Sequence, residues 1–283
     1  MNARARQARL EGAFHVAVLA LVSVFMVLPF FWLLSTSLTA RGLEFQVPPR
    51  WIPDPIVWRN YYQAFFESGL PFPTFFLNTV IITAANIVGT LVSASIAGFG
   101  FARLRFPARN AIFILVLSTM MLPGTVTLIP SYLLFNRLGW IDTWLPLVVP
   151  AYLGGGAFNV FLFRQFFMGL PLELDEAARM DGASTWQIYL RIALPLSGPV
   201  LATVGIFTFL ATWNSFLDAL IYLNSVEKMT LAVGLQAFRG LYLQQWNLMM
   251  AAATIMIAPV LILFALAQRY FVRGLVMTGL AGR

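Results

Sequence analysis

Residues Leu170 to Pro195 read L-P-L-E-L-D-E-A-A-R-M-D-G-A-S-T-W-Q-I-Y-L-R-I-A-L-P. Glu173, Asp175, Glu176, Arg179, Asp181 and Arg191 make this the densest charge cluster in an otherwise apolar chain. Pro171 suits the first turn of a helix, where no backbone N–H is required. Glu173, Asp175 and Glu176 crowd that turn, where the positive end of the helix dipole favours acids. Asp175 and Arg179 are four residues apart and can pair. Leu174, Ala177 and Ala178 share one face, with Asp181 one turn along. Gly182 fits the left-handed residue that ends a helix. Ser184, with Gln187 three residues on, predicts a capping box. The second helix then runs through Ile188 and Ile192 to a stop at Pro195. The stretch is thus expected to fold as helix, glycine corner, helix. Two placements fit it. It either touches a soluble partner through its small alanine face, or lies as an amphipathic hairpin on a membrane surface.

The flanks of this stretch set its context. The chain has 283 residues, 60% hydrophobic and 10% charged, with a mean hydropathy of +0.81. Soluble globular proteins carry about 25% charged residues, so this composition indicates an integral membrane protein. With no Cys, disulfides and thiolate metal sites are excluded. The formal charge of +7 is dispersed among loops. That suits anionic lipid headgroups better than nucleic acid.

Six apolar runs long enough to cross about 30 Å of hydrocarbon are expected in a single transmembrane domain covering 1–283. The first, about 13–35, follows Arg4, Arg6 and Arg9 and ends in Phe30-Phe31-Trp32. It is longer than a cleavable signal core and reads as a retained span. The proline-rich connection from Thr36 to Phe75 reads as an ordered external loop or a docking surface. The second span, 78–101, places Gly89, Ser93 and Ala97 at intervals of four, as it does Ala94 and Gly98. That spacing lets helices approach closely in lipid. The third, 111–135, is interrupted by Pro123-Gly124 and Pro130. Breaks of this kind are tolerated beside protein or a water-filled cavity, which puts Met120 to Thr127, with Met121 among them, near an internal path. The fourth, 144–163, carries Gly154-Gly155-Gly156 and Asn159. The polar loop 164–196 follows, then the fifth span, 197–222, and the sixth, 248–271.

Six spans put both termini on one side. The segments on that side hold 12 of the 18 basic residues, among them Arg103, Arg105, Arg109, Arg164, Arg269 and Arg273. The longer opposite segments hold Arg41, Arg50, Arg59, Arg137, Lys228 and Arg239. The positive-inside rule therefore predicts cytoplasmic termini and a cytoplasmic 170–195 hairpin.

The chain offers little to drive chemistry or ion coupling. Its one Lys, Lys228, precedes Met229, so no phosphate-cradling Gly-Lys-Ser/Thr loop exists. Its one His, His15, lies near the amino terminus, which leaves no histidine-based site within the later spans. Asp218 is the sole ionisable candidate inside a span, so a proton relay or voltage sensor is not expected. The span interiors carry neutral polar groups, Asn159, Thr208, Thr212 and Asn214, that suit passage of a neutral polar solute. Energy would then enter from outside, through the hairpin.

At this point the sequence resembles a known family. Glu176-Ala177-Ala178, then Gly182, then Ile192-x-Leu194-Pro195 is similar in order and spacing to the EAA loop of ABC importer permeases. Arg59-Asn60-Tyr61, Asn78-Thr79, Trp213-Asn214-x-Phe216 and Gln268 to Gly274 resemble carbohydrate permeases of the maltose-transporter type, nearest the smaller permease subunit. The resemblance implies an all-α, type I importer fold with six spans. It implies that Glu176, Ala177, Ala178, Arg179, Asp181 and Gly182 contact a separate ATPase. The implied partners are a second permease forming a heterodimer, two ATPase subunits that bind ATP and Mg, and an external solute-binding protein. No cofactor or metal is expected in this chain itself, and the implied location is the inner membrane. Trp213, Asn214 and Phe216 combine an aromatic face with an amide, as sugar sites do, or serve as packing. A sugar or polyol is the implied solute, with amino acids, peptides and phosphate esters as alternatives. An intramembrane enzyme is the contrasting class, and the lack of His within the later spans stands against it.

Overall fold

The computed structural model describes residues 3–241 and 245–280, with side chains for 12–240 and 245–267. Among these residues the chain is helical throughout, with no strand. Its contacts gather into two compact units, Met1–Phe72 with Leu235–Ala258, and Pro73–Gly234 with Pro259–Arg283.

The first unit is built on α1 (Ala3–Ser37). From Phe14 to Leu34 its large apolar side chains are nearly all exposed, as a lipid-facing surface requires. Its last carbonyls need donors. Asn60, at the start of the short α2 (Arg59–Tyr62), supplies them: Nδ2 donates to Ser37 O and Thr39 O, both at 2.9 Å. Ser37 Oγ also meets Tyr61 Oη at 2.7 Å. Asn60 and Tyr61 therefore fasten the proline-rich connection to the first span. Trp51 packs edge-on to Trp32 and its carbonyl accepts from Ser35 Oγ. A further helix, α13, covers Leu231–Leu241.

The second unit is organised on α3 (Phe72–Arg103), a longer helix than the expected 78–101. The third expected span is two helices, α4 (Arg109–Ser118) and α5 (Gly124–Arg137), joined through a tight 3-10 turn at Thr119–Met121 and bent by 100°. Pro123 makes this break. Leu122 before it is extended, as residues preceding proline are. Pro130, expected to interrupt the same span, lies inside α5 without a break and removes only one helical hydrogen bond. The fourth span divides at the three glycines into α6 (Leu145–Tyr152) and α7 (Ala157–Met168). It extends five residues beyond the expected end at 163.

The hairpin's first helix is α8 (Glu173–Met180). The second does not stop at Pro195. It starts as α9 (Thr185–Ile188), widens into a π-turn over Tyr189–Ala193, and ends in α10 (Leu194–Leu196). The wide turn just before Pro195 lets the backbone accommodate a ring that would clash with a regular preceding turn. A 76° bend at Ser197 leads into α11 (Gly198–Trp213). Residues 214–216 break the expected fifth span, and α12 (Leu217–Tyr222) completes it. The last helix is α14 (Trp246–Leu280). Among the described residues four stretches match the length and apolarity of a span as they stand, and up to six if each bent pair is one span. The side chains of Gln268 to Gly274, and Arg283 with the basic residues of the amino terminus, lie outside the described side chains.

The core of this unit joins α3, α4, α7, the π-turn and α11 through Phe99, Phe113, Phe163, Phe167, Tyr189 and Val204. Gly98 lets α3 approach α7. A Cβ there would stand 2.5 Å from Phe163 Cβ and 2.9 Å from Arg164 N, a backbone clash.

A polar lock holds the loop between α12 and α13. Asp142, between α5 and α6, accepts from Asn224 N at 3.0 Å, Ser225 N at 2.8 Å and Lys228 Nζ at 2.9 Å, and from the Ser225 hydroxyl. Asn78 Nδ2 donates to Glu227 O and Met229 O, and Thr79 Oγ1 accepts from Leu231 N. The Ser225 hydroxyl, then the Ser225 backbone N–H, Lys228 and the Asn224 backbone hold the Asp142 carboxyl well below the usual carboxylate range.

Candidate functional site

The hairpin has the expected corner. Gly182 sits at φ +80°, Gly182 N donates to Arg179 O at 3.0 Å and Ala183 N to Ala178 O at 2.9 Å. These are the two bonds of a Schellman C-cap. The next helix opens with a reciprocal capping box. Gln187 N donates to Ser184 Oγ at 3.3 Å, and Ser184 N to Gln187 Oε1 at 2.7 Å. The helix–glycine–helix form therefore follows from local capping chemistry alone.

Its attachments differ from expectation. Asp175 does not pair with Arg179. Its Oδ2 lies 3.5 Å from Arg103 Nε at the end of α3, and Arg103 Nη2 donates to Leu170 O at 2.7 Å. The two side chains are only 4% and 13% exposed. A shielded partner displaces a solvated one, because screening weakens the exposed i,i+4 pair. Arg179 is left exposed. The second helix is anchored by Tyr189, buried against Phe99, with its hydroxyl 2.7 Å from Ser95 Oγ on α3. Two separate ties therefore run from the hairpin to one membrane helix.

Of the six expected contact residues, Glu176, Ala177, Arg179, Asp181 and Gly182 are exposed. Ala178 is not: it turns inward and packs on the core. The exposed surface also presents Leu172, Leu174, Trp186 and Met180, the last 89% exposed. Large apolar residues within a charged hairpin were the available sequence signal for Met180 and Trp186. An apolar, acid-edged surface of this kind suits burial against another protein.

The residues expected along a solute path do not converge. Trp213 is 2% exposed, stacked on Phe209 and edge-on to Phe76, so it is packing. Asn214 Nδ2 donates to Leu210 O and closes the end of α11. Asn159 Nδ2 likewise donates to Gly155 O at the α6–α7 break. Met121, 82% exposed, and Phe216 face outward from the chain. Trp213 thus fills a buried position, and Asn214 and Asn159 hold main-chain carbonyls at the two breaks.

The breaks themselves do shape a space. The turn of α11 before the 214–216 break, the N-terminal end of α12, and facing residues of α3, α5 and α6 enclose a cavity of about 410 Å³. Its polar lining comes from Asn86, Ser131, Thr212, Ser215, Asp218 and Thr230, and its aromatic lining from Phe135 and Tyr222. Hydropathy flagged Thr212 and Asp218; the rest come from helices far apart in sequence, and no local pattern joins them. Among the described residues no cluster of His, Cys, Asp and Glu could hold a metal.

Comparison with known proteins gives a consistent answer. Residues 89–277 match the family described as binding-protein-dependent transport system inner membrane component. The arabinooligosaccharides transport system permease protein AraQ of Bacillus subtilis is 34% identical over 95% of this chain and 98% of its own length. The sn-glycerol-3-phosphate transport system permease protein UgpE of Pectobacterium atrosepticum is 36% identical over 82% of this chain and 84% of its own. A chain from a bacterial ABC transporter that imports the acidic polysaccharide alginate superposes with a TM-score of 0.82 at 25% identity, covering 94% of this chain and 98% of that one.

Proposed function

The chain belongs to the family of binding-protein-dependent transport system inner membrane components, and we propose that it forms one half of a sugar-conducting path moved by a separate ATPase. It is a permease subunit of an ABC importer, a transport component and not an enzyme. The observation that carries the coupling reading is the exposed helix–Gly182–helix surface tied to α3 by Arg103 and Tyr189. A push on α8 reaches a membrane helix through a buried ion pair and a buried hydroxyl pair, not through a slack loop.

On this reading Glu176, Ala177, Arg179, Asp181 and Gly182 seat in the ATPase, with Leu172, Met180 and Trp186 adding apolar area. The ATPase, present as two copies, holds ATP and Mg. A second permease completes the path as a heterodimer, and an external binding protein delivers the solute. The termini and the hairpin lie in the cytoplasm, in accord with the basic residues on that side. The solute is a sugar or polyol, supported by relatives whose names refer to arabinooligosaccharides, alginate and sn-glycerol-3-phosphate.

Co-purification tests the coupling. Glu176→Lys and Gly182→Pro, in membrane-inserted chain, are expected to lose the ATPase while retaining the second permease. Undiminished recovery of the ATPase with both variants would overturn the assignment of this surface.

A further inference from the structure

The cavity at the α11–α12 break has a chemical character that the permease reading does not supply. Its lining carries one charge, the Asp218 carboxylate, and no Lys, Arg or His. Ser215 Oγ donates to Asp218 Oδ2 at 3.2 Å, so the break presents a hydroxyl and a carboxylate side by side. Thr230, 6% exposed, also lines the space. Asn86 holds both amide hydrogens on main-chain carbonyls, Ile82 O and Leu147 O at 2.9 Å each, which turns its side-chain oxygen into the group available to accept. Tyr222 and Phe135 pack edge-on at 5.3 Å and provide an aromatic wall.

From this we infer that the cavity is a contact site for an uncharged, hydroxyl-rich ligand, a neutral sugar ring, and that it turns anionic sugars and phosphorylated polyols away. A neutral sugar offers hydroxyl donors to the Asp218 carboxylate and the Asn86 oxygen, and acceptors to the Ser131 and Thr212 hydroxyls of the lining. Its C–H face covers the aromatic wall. Charge-assisted bonds to a carboxylate are the strong ones. An anionic group would meet that same carboxylate with no cation in the lining to offset it. The volume lies within the range of small-molecule sites. The inference rests on the permease reading and assigns it a class of solute.

The chain has no cysteine, so single ones can be read without background from it. Thr212→Cys on α11 and Ser131→Cys on α5 each put one thiol in the lining, from two different helices. The complete importer, purified with its partners in lipid nanodiscs, is labelled with a cationic and an anionic methanethiosulfonate of similar size. Labelling of this chain is followed by mass. One carboxylate in the same wet lining predicts faster labelling by the cationic reagent, on the order of several-fold, at both positions. Asp218→Asn is expected to abolish that preference. A neutral trisaccharide is expected to slow labelling at both cysteines, and a uronic-acid trisaccharide at equal concentration to leave it unchanged. Equal rates for the two reagents, or equal protection by the two sugars, would overturn the inference. The labelling needs no ATP, so its failure leaves the permease reading intact. Failure of the co-purification test would leave the labelling unaffected.

Discussion

The tie between Arg103 and the hairpin sets the most informative perturbation. Arg103→Met keeps the length of the side chain and removes its charge and donors. Leu170 O then loses its 2.7 Å donor, at about 1–3 kcal/mol for a buried carbonyl. Asp175 loses its counter-charge. Stranding a fully buried charge costs about 3–5 kcal/mol. Asp175 sits on a surface helix and retains 13% side-chain exposure, so it can turn towards water and the lower end applies. With the low end of both terms the expected total is about 4 kcal/mol. Asp175→Asn leaves the guanidinium with Leu170 alone and is expected to cost about 2 kcal/mol. Because both variants break one interaction, the double variant should fall short of their sum by about 1–2 kcal/mol. The assay is a double-mutant cycle on detergent-induced unfolding of the purified chain, paired with solute uptake and basal ATP hydrolysis by the complete importer. Uptake should fall more than hydrolysis, since the ATPase still docks but its motion reaches α3 less directly. A coupling energy within about 0.3 kcal/mol of zero would refute the tie.

Other outcomes follow from the same geometry. Gly182 has φ +80° and open space around a would-be Cβ, so only backbone strain opposes substitution: Gly182→Asn should retain uptake, while Gly182→Val should lose about 1–2 kcal/mol of hairpin stability and most coupling. Trp213→Ala removes a buried indole between Phe76 and Phe209 and should cost about 3–5 kcal/mol, lowering uptake and solubilised stability together; a selective change in solute preference would contradict its role as packing. Asp142 has a depressed pKa, so its lock contributes above the unfolded carboxyl pKa of about 3.9 and is lost as pH falls further. The melting-temperature gap between wild type and Asp142→Asn should hold from about pH 5 to 8 and narrow progressively as pH falls below about 4.

Much of the fold was legible because the bilayer is a strict solvent. It forces long apolar helices, and it forces polar linkers out, so composition and arginine placement expose the six runs and the hairpin. Capping is equally local, which is why Gly182, Ser184 and Gln187 take the places their chemistry predicts. Proline was read less well. Pro123 and Pro130 carry the same ring, but only Pro123 follows a residue already turned to an extended conformation, and only there does the helix break. Pro195 was absorbed by a π-turn that no residue pattern announces. The site was least legible. Asp175 has two arginines within reach, and sequence spacing favours Arg179, four residues away. The tertiary choice, Arg103, lies 72 positions earlier. Trp213 and Asn214 look like a sugar site because an aromatic beside an amide is ambiguous; burial makes Trp213 packing, and the Asn214 amide donates to Leu210 O. The cavity draws on residues from Ile82 to Thr230, a convergence that exists only after folding.

ATP-driven uptake into proteoliposomes tests the central claim most directly. The complete importer, with its binding protein outside and ATP supplied to the ATPase face, is compared with the same complex carrying Glu176→Lys. The wild-type complex should accumulate a neutral oligosaccharide only with ATP, and the variant, normally inserted, should accumulate none. Uptake that proceeds without the ATPase, or that the variant leaves undiminished, would contradict the claim that this chain is driven through its 170–195 hairpin.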